Sequence, residues 1–549
     1  MNIKSAETKK NIAFVLLVTL WFVYFTGGKF INPFYIDWIF PSDTETHWLG
    51  WQFFKNQSIF NFPLFKNINY GMELGSSLVL NDSLAIMAII FKPFAVFIPF
   101  EFQYFGLWTY ICFLLQGIIT MKIFHIYTKN KIIILLCGFF FTMLPPFLWR
   151  LHGHFGLLGH WLILYAFFIY LSSKEINLKH WIILVTISLL INAYIAAMII
   201  GIFIADLIKY KLLDEKITFK ILFSNFFNFI FVLLVSLFMF GYFMVGKGAG
   251  GKGFGKYNAN LNSFFDPDQI WSIFITNQPT PEFGYEGFAF PGTGIIIMIF
   301  IGLISIMIKR NKINPKELKH FSPLIIIALL AYLFALSNNI TLGTDIIAKY
   351  EVPSFLIFLT KIFRSSGRFV WILFYLISIS SLIFIIKNYS DKTIKVLLIL
   401  LITIQFVDLS NARQYFSTKL NTPNIFNGRS GKWKSPMKNI IWNEISKNYN
   451  KVSYVYTKNR PKDYFPISYF AAKNDMKINT GYFSRVSKEA TKIINLQLKK
   501  SILTKKLNHE TIYFIYDDNL WDFIKNNYDN QDYIVEQIDS FRVLGLRNK

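Results

Sequence analysis

Two acids and a histidine stand together at Asp43, Glu45 and His47, inside the run Pro41-Ser42-Asp43-Thr44-Glu45-Thr46-His47-Trp48-Leu49-Gly50-Trp51-Gln52-Phe53-Phe54. That run follows the first hydrophobic stretch, Asn11 to Gly27. A carboxylate held near a hydroxyl proton can act as a general base. Ionisable groups at the edge of a membrane span are costly to desolvate, so function is their default reading. The chemistry expected is acid/base work on a hydroxyl, with Asp43 as the catalytic carboxylate and Glu45 and His47 binding substrate. Asp37, just upstream, competes with Asp43 for the same role. The plainer account is helix capping, with Ser42 or Asp43 as N-cap and Glu45 in the first turn.

Four further clusters carry polar chemistry. Asn81-Asp82-Ser83 ends a glycine-bearing stretch from Gly71, where Asp82 either caps the following helix or meets substrate. Arg150, His152, His154 and His160 crowd Leu148 to Trp161. Histidines at i, i+2 do not share a helix face, so a ligand or phosphate site with Arg150 as the charge is preferred to a metal site, and for His160 a satisfied structural role stands equally beside it. Glu286, in Tyr285-Glu286-Gly287-Phe288, either caps the next hydrophobic run or holds a sugar hydroxyl. Arg364 and Arg368, in Phe363-Arg364-Ser365-Ser366-Gly367-Arg368-Phe369, either grip lipid head groups or bind a substrate phosphate, and the phosphate is favoured. The run Gly246 to Lys256 lacks Gly-Lys-Ser/Thr and reads as a flexible gate rather than a nucleotide cradle.

These residues must be positioned by membrane helices. The chain has 549 residues, 54% of them hydrophobic and 16% charged, with a mean hydropathy of +0.40. Apolar runs near the ~20 residues needed to cross a bilayer recur from Asn11 to Ser410. Its 61 Phe, 28 Tyr and 13 Trp suit lipid-facing helices with interfacial aromatic belts. The net charge of +24 is explained by basic loops rather than by nucleic acid, for which no motif is present. Gly27-Gly28-Lys29-Phe30 offers no small-x-small cleavage site, so the first run is expected to stay as an anchor.

A single crossing for every run puts too many lysines outside. Treating Ser83–Phe97 as a partial interfacial helix, and Trp181–Lys209 as a short hairpin broken at Asn192-Ala193-Tyr194, repairs this. It gathers 20 Lys and Arg inside against 5 in the short outer loops. The expected fold is an α-helical polytopic membrane protein with about 11 spans plus the partial helix. Its membrane domain covers 1–410, with a first outer loop at 28–102 and a long outer loop at 246–292. A soluble α/β domain follows at 411–549, built on strands at Lys451–Tyr456, Thr511–Tyr516 and Tyr533–Val535 and helices at Ser435–Lys447 and Ser487–Leu503. The outer loops and this tail then share one side. Cys112 and Cys137 lie inside apolar runs and say nothing of redox compartment.

Several motifs together resemble a bacterial family of the GT-C glycosyltransferase superfamily. They are Asp43-x3-His47-x2-Gly50-Trp51-Gln52-Phe53-Phe54, Asn69-Tyr70-Gly71-Met72-Glu73-Leu74-Gly75-Ser76-Ser77, and Arg150-x3-His154-x5-His160-Trp161. Glu286-Gly287-Phe288, Arg364-Ser365-Ser366-Gly367-Arg368 and Ser468 to Tyr482 complete the set. The resemblance implies an inner-membrane transferase using a polyprenyl-phosphate-linked sugar, with the catalytic carboxylate in the first outer loop, where Asp43 falls. The chain carries histidines where oligosaccharyltransferases carry acidic metal ligands. Hard cations prefer oxygen ligands, so no metal is assigned and a divalent cation is left without support.

The expected function is therefore inverting transfer of a sugar from a polyprenyl-phosphate donor to an extracytoplasmic glycan or other cell-envelope acceptor. The partners expected are that lipid-linked sugar, the glycan acceptor and the lipid bilayer, with no nucleic acid. The expected location is the bacterial inner membrane, N-terminus cytoplasmic and tail extracytoplasmic. The rivals are a lipid-linked glycan transporter or flippase and a non-catalytic accessory protein. A transporter calls for inverted repeats or charged mid-helix residues, which the sequence does not display.

Overall fold

The computed structural model describes residues 2–40, 43–58, 61–214, 216–245, 251, 253–281, 283–309, 315–423, 425–426, 429–430 and 433–547. Most of the expected glycine-rich gate, 246–250 and 252, lies outside these residues. The chain is mostly helical and divides into two compact units. One comprises Met1–Pro33, Tyr104–Leu234 and Gly251–Thr422; the other comprises Phe34–Gln103, Val235–Gly250 and Pro423–Lys549.

Helices dominate the first unit because its apolar runs satisfy every backbone N–H and C=O internally, which a hydrocarbon environment demands. Across the described residues, six helices are long and apolar enough to cross a membrane, or eight if two bent pairs each count as one span. This makes a multi-pass membrane protein the natural reading. The shortfall from about eleven has a physical cause. Helices over Leu178–Leu189, Lys10–Thr26 and Thr293–Met307 are apolar but short. Ser83–Phe97 condenses to an α-helix at Ala85–Phe91 followed by a 3-10 turn at Lys92–Phe97.

The expected break at Asn192 is present. Its side chain accepts a hydrogen bond from the Tyr194 N–H and so starts the helix Ala193–Leu213. The helix Leu178–Leu189 folds back against it, with Trp181 Nε1 donating to Asp206 Oδ2 at 2.9 Å. Asp206 and Lys209 form a buried ion pair at 2.5 Å inside this apolar helix, and Lys209 Nζ also donates to the Tyr170 carbonyl at 2.7 Å. That charge pair, which the hydropathy pattern hides, is a bracket joining helix ends.

The second unit is built on a five-stranded sheet. Its order is Lys477–Ile478, Lys451–Tyr454, Thr511–Phe514, Phe541–Leu546, Tyr533–Ile538. The first three strands run parallel; the last two pair antiparallel. Residues of the first loop join the edge: Gly71 N donates to Ile478 O and Ile478 N to Asn69 O, both at 2.9 Å. Edge strands offer unpaired backbone groups, and here a segment from far upstream satisfies them.

The helix Thr44–Lys55 belongs to the same unit and is buried along its length. Trp48 stacks on Tyr469 with centroids 5.9 Å apart, and Tyr70 stacks on Phe53 and meets Phe483 at a tilt, 4.8 Å from each. Trp48 and Trp51 are fully buried, worth up to about 4–6 kcal/mol each by area. The packing of these rings holds the start of the helix, and therefore Asp43, in place.

Candidate functional site

Three turns of the first unit bring opposite charges together. The helix Lys131–Phe141 ends at Thr142, and Pro145-Pro146 start a new short helix, Pro145–Leu148, bent by 46° from it. Prolines at the first helical positions favour such a restart. The bend aims the 3-10 turn Trp149–His152 inward, and Arg150 is fully buried there. Glu286 sits on the 3-10 turn Gly284–Gly287, and Arg368 on Ser366–Phe369, which leads into the helix Val370–Asn388.

Glu286 receives both arginines. Arg150 Nη1 lies 3.2 Å from Oε2, Arg368 Nε 2.8 Å from Oε2, and Arg368 Nη2 2.5 Å from Oε1. Burial alone pushes the Glu286 carboxyl up. The charge and hydrogen bonds of Arg368, followed by the charges of His154 and Arg150, outweigh it and hold the carboxyl well below the usual carboxylate range. A cation at a helix N-terminus opposes the macrodipole, and the carboxylate offsets this at Arg368. The turns approach so closely that a Cβ on Gly367 would lie 2.7 Å from the Gly287 Cα. Gly367 is therefore needed for this approach, while a Cβ on Gly287 would meet the Ala259 Cα at 2.3 Å.

Two arginines against one glutamate leave an excess positive charge. Arg150 is sandwiched between Trp149 and Trp371, with its guanidinium carbon 4.5 Å and 4.6 Å from the ring centres. Its Nε and Nη2 are buried and have no hydrogen-bond partner among the described residues. Buried donors without acceptors cost about 1–3 kcal/mol each, more for a charged group. An anion at that edge removes the cost, and a phosphate oxygen pair matches the fork.

Trp149 is the centre of this region, and sequence reasoning passed it over. His152 packs on it at 4.8 Å, His154 stacks at 6.1 Å and Tyr285 stacks at 5.7 Å. Its Nε1 donates to Asp268 Oδ2 at 3.1 Å. The signal available was an aromatic residue flanking the arginine, common in so aromatic a chain and hence unspecific. His160 is deeper: its Nδ1 shares a hydrogen bond with the Tyr375 hydroxyl at 2.8 Å, which accepts from Gln116 Nε2 at 2.9 Å. Arg364 is half-buried and makes none of the Glu286 contacts.

The second unit holds the acidic motif. Asp43 occupies the N-cap position of Thr44–Lys55, yet its side chain makes no capping bond and is exposed. Capping thus fails to account for the carboxylate. Glu45 is buried and accepts from the Tyr464 hydroxyl, while the Thr46 hydroxyl donates to the Tyr482 carbonyl at 2.5 Å. His47 is buried; burial lowers its pKa against the charges of Asp82 and Asp43. Asp82 does not cap the next helix, whose N-cap is Leu84, and instead takes a positive φ of 50°. Asp37 is half-buried, and burial with its charge pushes the Tyr35 hydroxyl up to about 12. Among the described residues, no group of three or more His, Cys, Asp and Glu is arranged to hold a metal ion.

Residues 15–410 match the family described as a domain of unknown function, DUF6311, and residues 441–545 match the DUF6311 C-terminal domain. No curated protein matches the chain.

Proposed function

The chain belongs to the DUF6311 family, and we propose that this member is a GT-C-like inverting glycosyltransferase using a polyprenyl-phosphate-linked sugar. The observation that carries the reading is Arg150: a buried guanidinium with two nitrogens unpartnered among the described residues, in a cluster with net positive charge. A lipid phosphate reaching between apolar helices supplies the missing acceptors. As the sugar leaves, negative charge grows on that phosphate, and fixed cations lower the barrier by stabilising it. Arg150 takes this role, Glu286 and Arg368 hold it in position, and Arg364 serves the same phosphate as a second cation.

Asp43 is the proposed base. It removes the acceptor hydroxyl's proton as that oxygen bonds to the anomeric carbon, and the carbon–phosphate oxygen bond breaks to release polyprenyl phosphate. Its exposure and the absence of a capping bond support this over Glu45, which is engaged by Tyr464. The proposed setting is the bacterial inner membrane, with about eleven crossings once the short apolar helices are counted, and with an extracytoplasmic glycan as acceptor.

A transporter reading draws on Asp206 and Lys209, charges inside a span. Their partners Trp181 and the Tyr170 carbonyl account for them as a structural bracket. The transferase reading is tested with membranes supplied with a polyprenyl-phosphate sugar and acceptor. Asp43→Asn abolishes transfer with expression intact; undiminished transfer removes Asp43 from the role. Mass spectrometry of surface glycans from cells with and without the protein separates transfer from transport: a transferase changes one linkage, a flippase depletes the whole glycan.

A further inference from the structure

Between the apolar helices Pro315–Leu336 and Val370–Asn388 of the first unit, the chain forms an arm. It consists of a hairpin, Asn339–Leu342 paired with Asp345–Lys349, and a short helix, Ile357–Ile362. The arm is fixed to the unit through its backbone. Asn260 grips the hairpin turn twice, its Nδ2 donating to the Gly343 carbonyl at 2.7 Å and its Oδ1 accepting from the Gly343 N–H at 3.1 Å. Leu261 N donates to Thr341 O at 2.9 Å, and Gly251 N to Lys361 O at 3.1 Å. The Tyr350 hydroxyl donates to the Ser337 carbonyl at 2.9 Å.

The side chains of the arm are left uncovered. Ile346 and Ile347 are 57% and 58% exposed, Phe355 and Phe358 78% and 70%, and Leu342 and Leu359 are exposed as well. Scattered apolar residues on a surface are ordinary, but a run this dense marks an interaction site. A lone two-stranded ribbon is marginal in water, and every residue of Asp345–Lys349 is exposed. The arm calls for a cover other than water.

We propose that this cover is the lipid bilayer: the arm lies at the boundary between head groups and acyl chains, with Ile346, Ile347, Phe355 and Phe358 inserted. Continuity selects lipid. Both ends of the arm run into apolar helices, and the first of these exposes Leu329, Leu330 and Leu333 near the end that leads to the hairpin. Lipid wetting that face meets the arm next. The backbone sets the depth, because the outer edges of a two-stranded ribbon carry unpaired N–H and C=O groups that hydrocarbon does not tolerate. The head-group boundary, about 5–10 Å deep, does tolerate them. Lys349 and Lys361 close the hairpin and the short helix, where long apolar stems carry their charges up to the head groups. Asp345 and Glu351 are exposed too and offset those charges, so the apolar side chains drive insertion and anionic lipid is not required. Arg364 follows the short helix by two residues, and the same placement brings it to the depth of lipid phosphates. The inference rests on the multi-pass reading of the fold and not on the transferase.

The test uses the full chain in lipid nanodiscs with one added cysteine carrying an environment-sensitive fluorophore. Cys112 and Cys137 are buried, so the unsubstituted chain serves as the labelling blank. Ile347→Cys and Phe358→Cys report on the two elements of the arm. Ile326→Cys, on the exposed face of Pro315–Leu336, and Glu175→Cys, on an exposed loop, are the controls. The quenchers are iodide in the water and lipids bearing a nitroxide near the head or near the end of the acyl chain. Both arm labels are expected to emit blue-shifted relative to Glu175→Cys, to resist iodide, and to be quenched most by the nitroxide near the head. Ile326→Cys is quenched most by the nitroxide near the chain end. Arm labels quenched by iodide alone overturn the proposal, while lipid quenching of Ile326→Cys leaves the multi-pass reading standing. No lipid quenching at Ile326→Cys overturns both. Arm labels shielded from every quencher overturn it in favour of a protein cover, and quenching strongest from the chain end overturns the boundary placement.

Discussion

Arg368 meets Glu286 edge to edge, with Nε on Oε2 and Nη2 on Oε1, while Arg150 reaches the same Oε2 from another turn. Removing one member of such a buried set is more damaging than its net worth suggests, because the others are left charged and unpaired. Glu286→Ala is expected to destabilise the protein by about 3–5 kcal/mol. Thermal unfolding in detergent reads this directly. Arg368→Lys falls between the two, since a lysine cannot match the carboxylate with two parallel bonds.

Arg150→Met keeps the packing between Trp149 and Trp371 but removes the fork. Loss of an oxyanion-type donor costs about 10²–10³ in rate. Transfer is expected to fall by that factor, with binding of polyprenyl phosphate weakened in parallel. Arg150→Lys restores charge without the fork and recovers only part of either.

The pH response separates two groups. Glu286 has its folded pKa pulled below its ordinary 4.5, so its contribution is complete above that value and is lost only as the pH falls through the lower folded one. The stability gap between wild type and Glu286→Gln is expected to be flat from about pH 5 to 8. His47 is held below its ordinary 6.5 chiefly by burial, so its contribution is full above 6.5 and fades as acidification reaches its lower folded value. His47→Gln flattens that limb. Unfolding temperatures over a pH series distinguish the two.

Gly367→Ala places a methyl carbon 2.7 Å from the Gly287 Cα. Backbone does not yield as a flexible side chain does, so the Glu286 turn must move away from Arg368. An overpacking cost of about 1–3 kcal/mol is expected. Lipid-phosphate affinity should drop with it, which calorimetric unfolding and lipid binding measured together will show.

Tyr464→Phe removes one hydroxyl and leaves the buried Glu45 carboxylate short of a donor. The expected cost is about 1–3 kcal/mol. It should appear as faster hydrogen exchange in both Thr44–Lys55 and Tyr464–Lys473, with the first unit unchanged.

Helices were legible in the sequence because apolar runs must form them, and the Asn192 break showed because asparagine is a strong N-cap. The strands at Lys451, Thr511 and Tyr533 stood out by their β-branched and aromatic content. Phe541–Leu546 did not, since Gly545 and two arginines flank or interrupt its pattern. Arg150, Glu286 and Arg368 were each visible as charges beside apolar runs. Their union was not, because 82 residues separate Arg368 from Glu286 and 136 separate Glu286 from Arg150. Long-range pairing of that kind is set by packing, which no local pattern encodes. Nothing in the sequence separates Asp268 from other loop acids; its hydrogen bond to Trp149 does.

The strand-like addition of Asn69–Gly71 to Ile478 also imposes an order on biosynthesis. Glu45 must wait for Tyr464, 419 residues downstream, to receive that hydroxyl's hydrogen bond. Closing so long a loop is slow, and unfinished edges invite wrong partners. The first loop therefore cannot mature while the chain is still being translated through its middle helices. It reaches its final form only when Tyr464 and Ile478 have been made, so the surroundings of Asp43, the proposed base, are completed by a segment some 400 residues downstream. A chain that stops before Tyr464 lacks both the hydroxyl that meets Glu45 and the strand that Asn69–Gly71 joins.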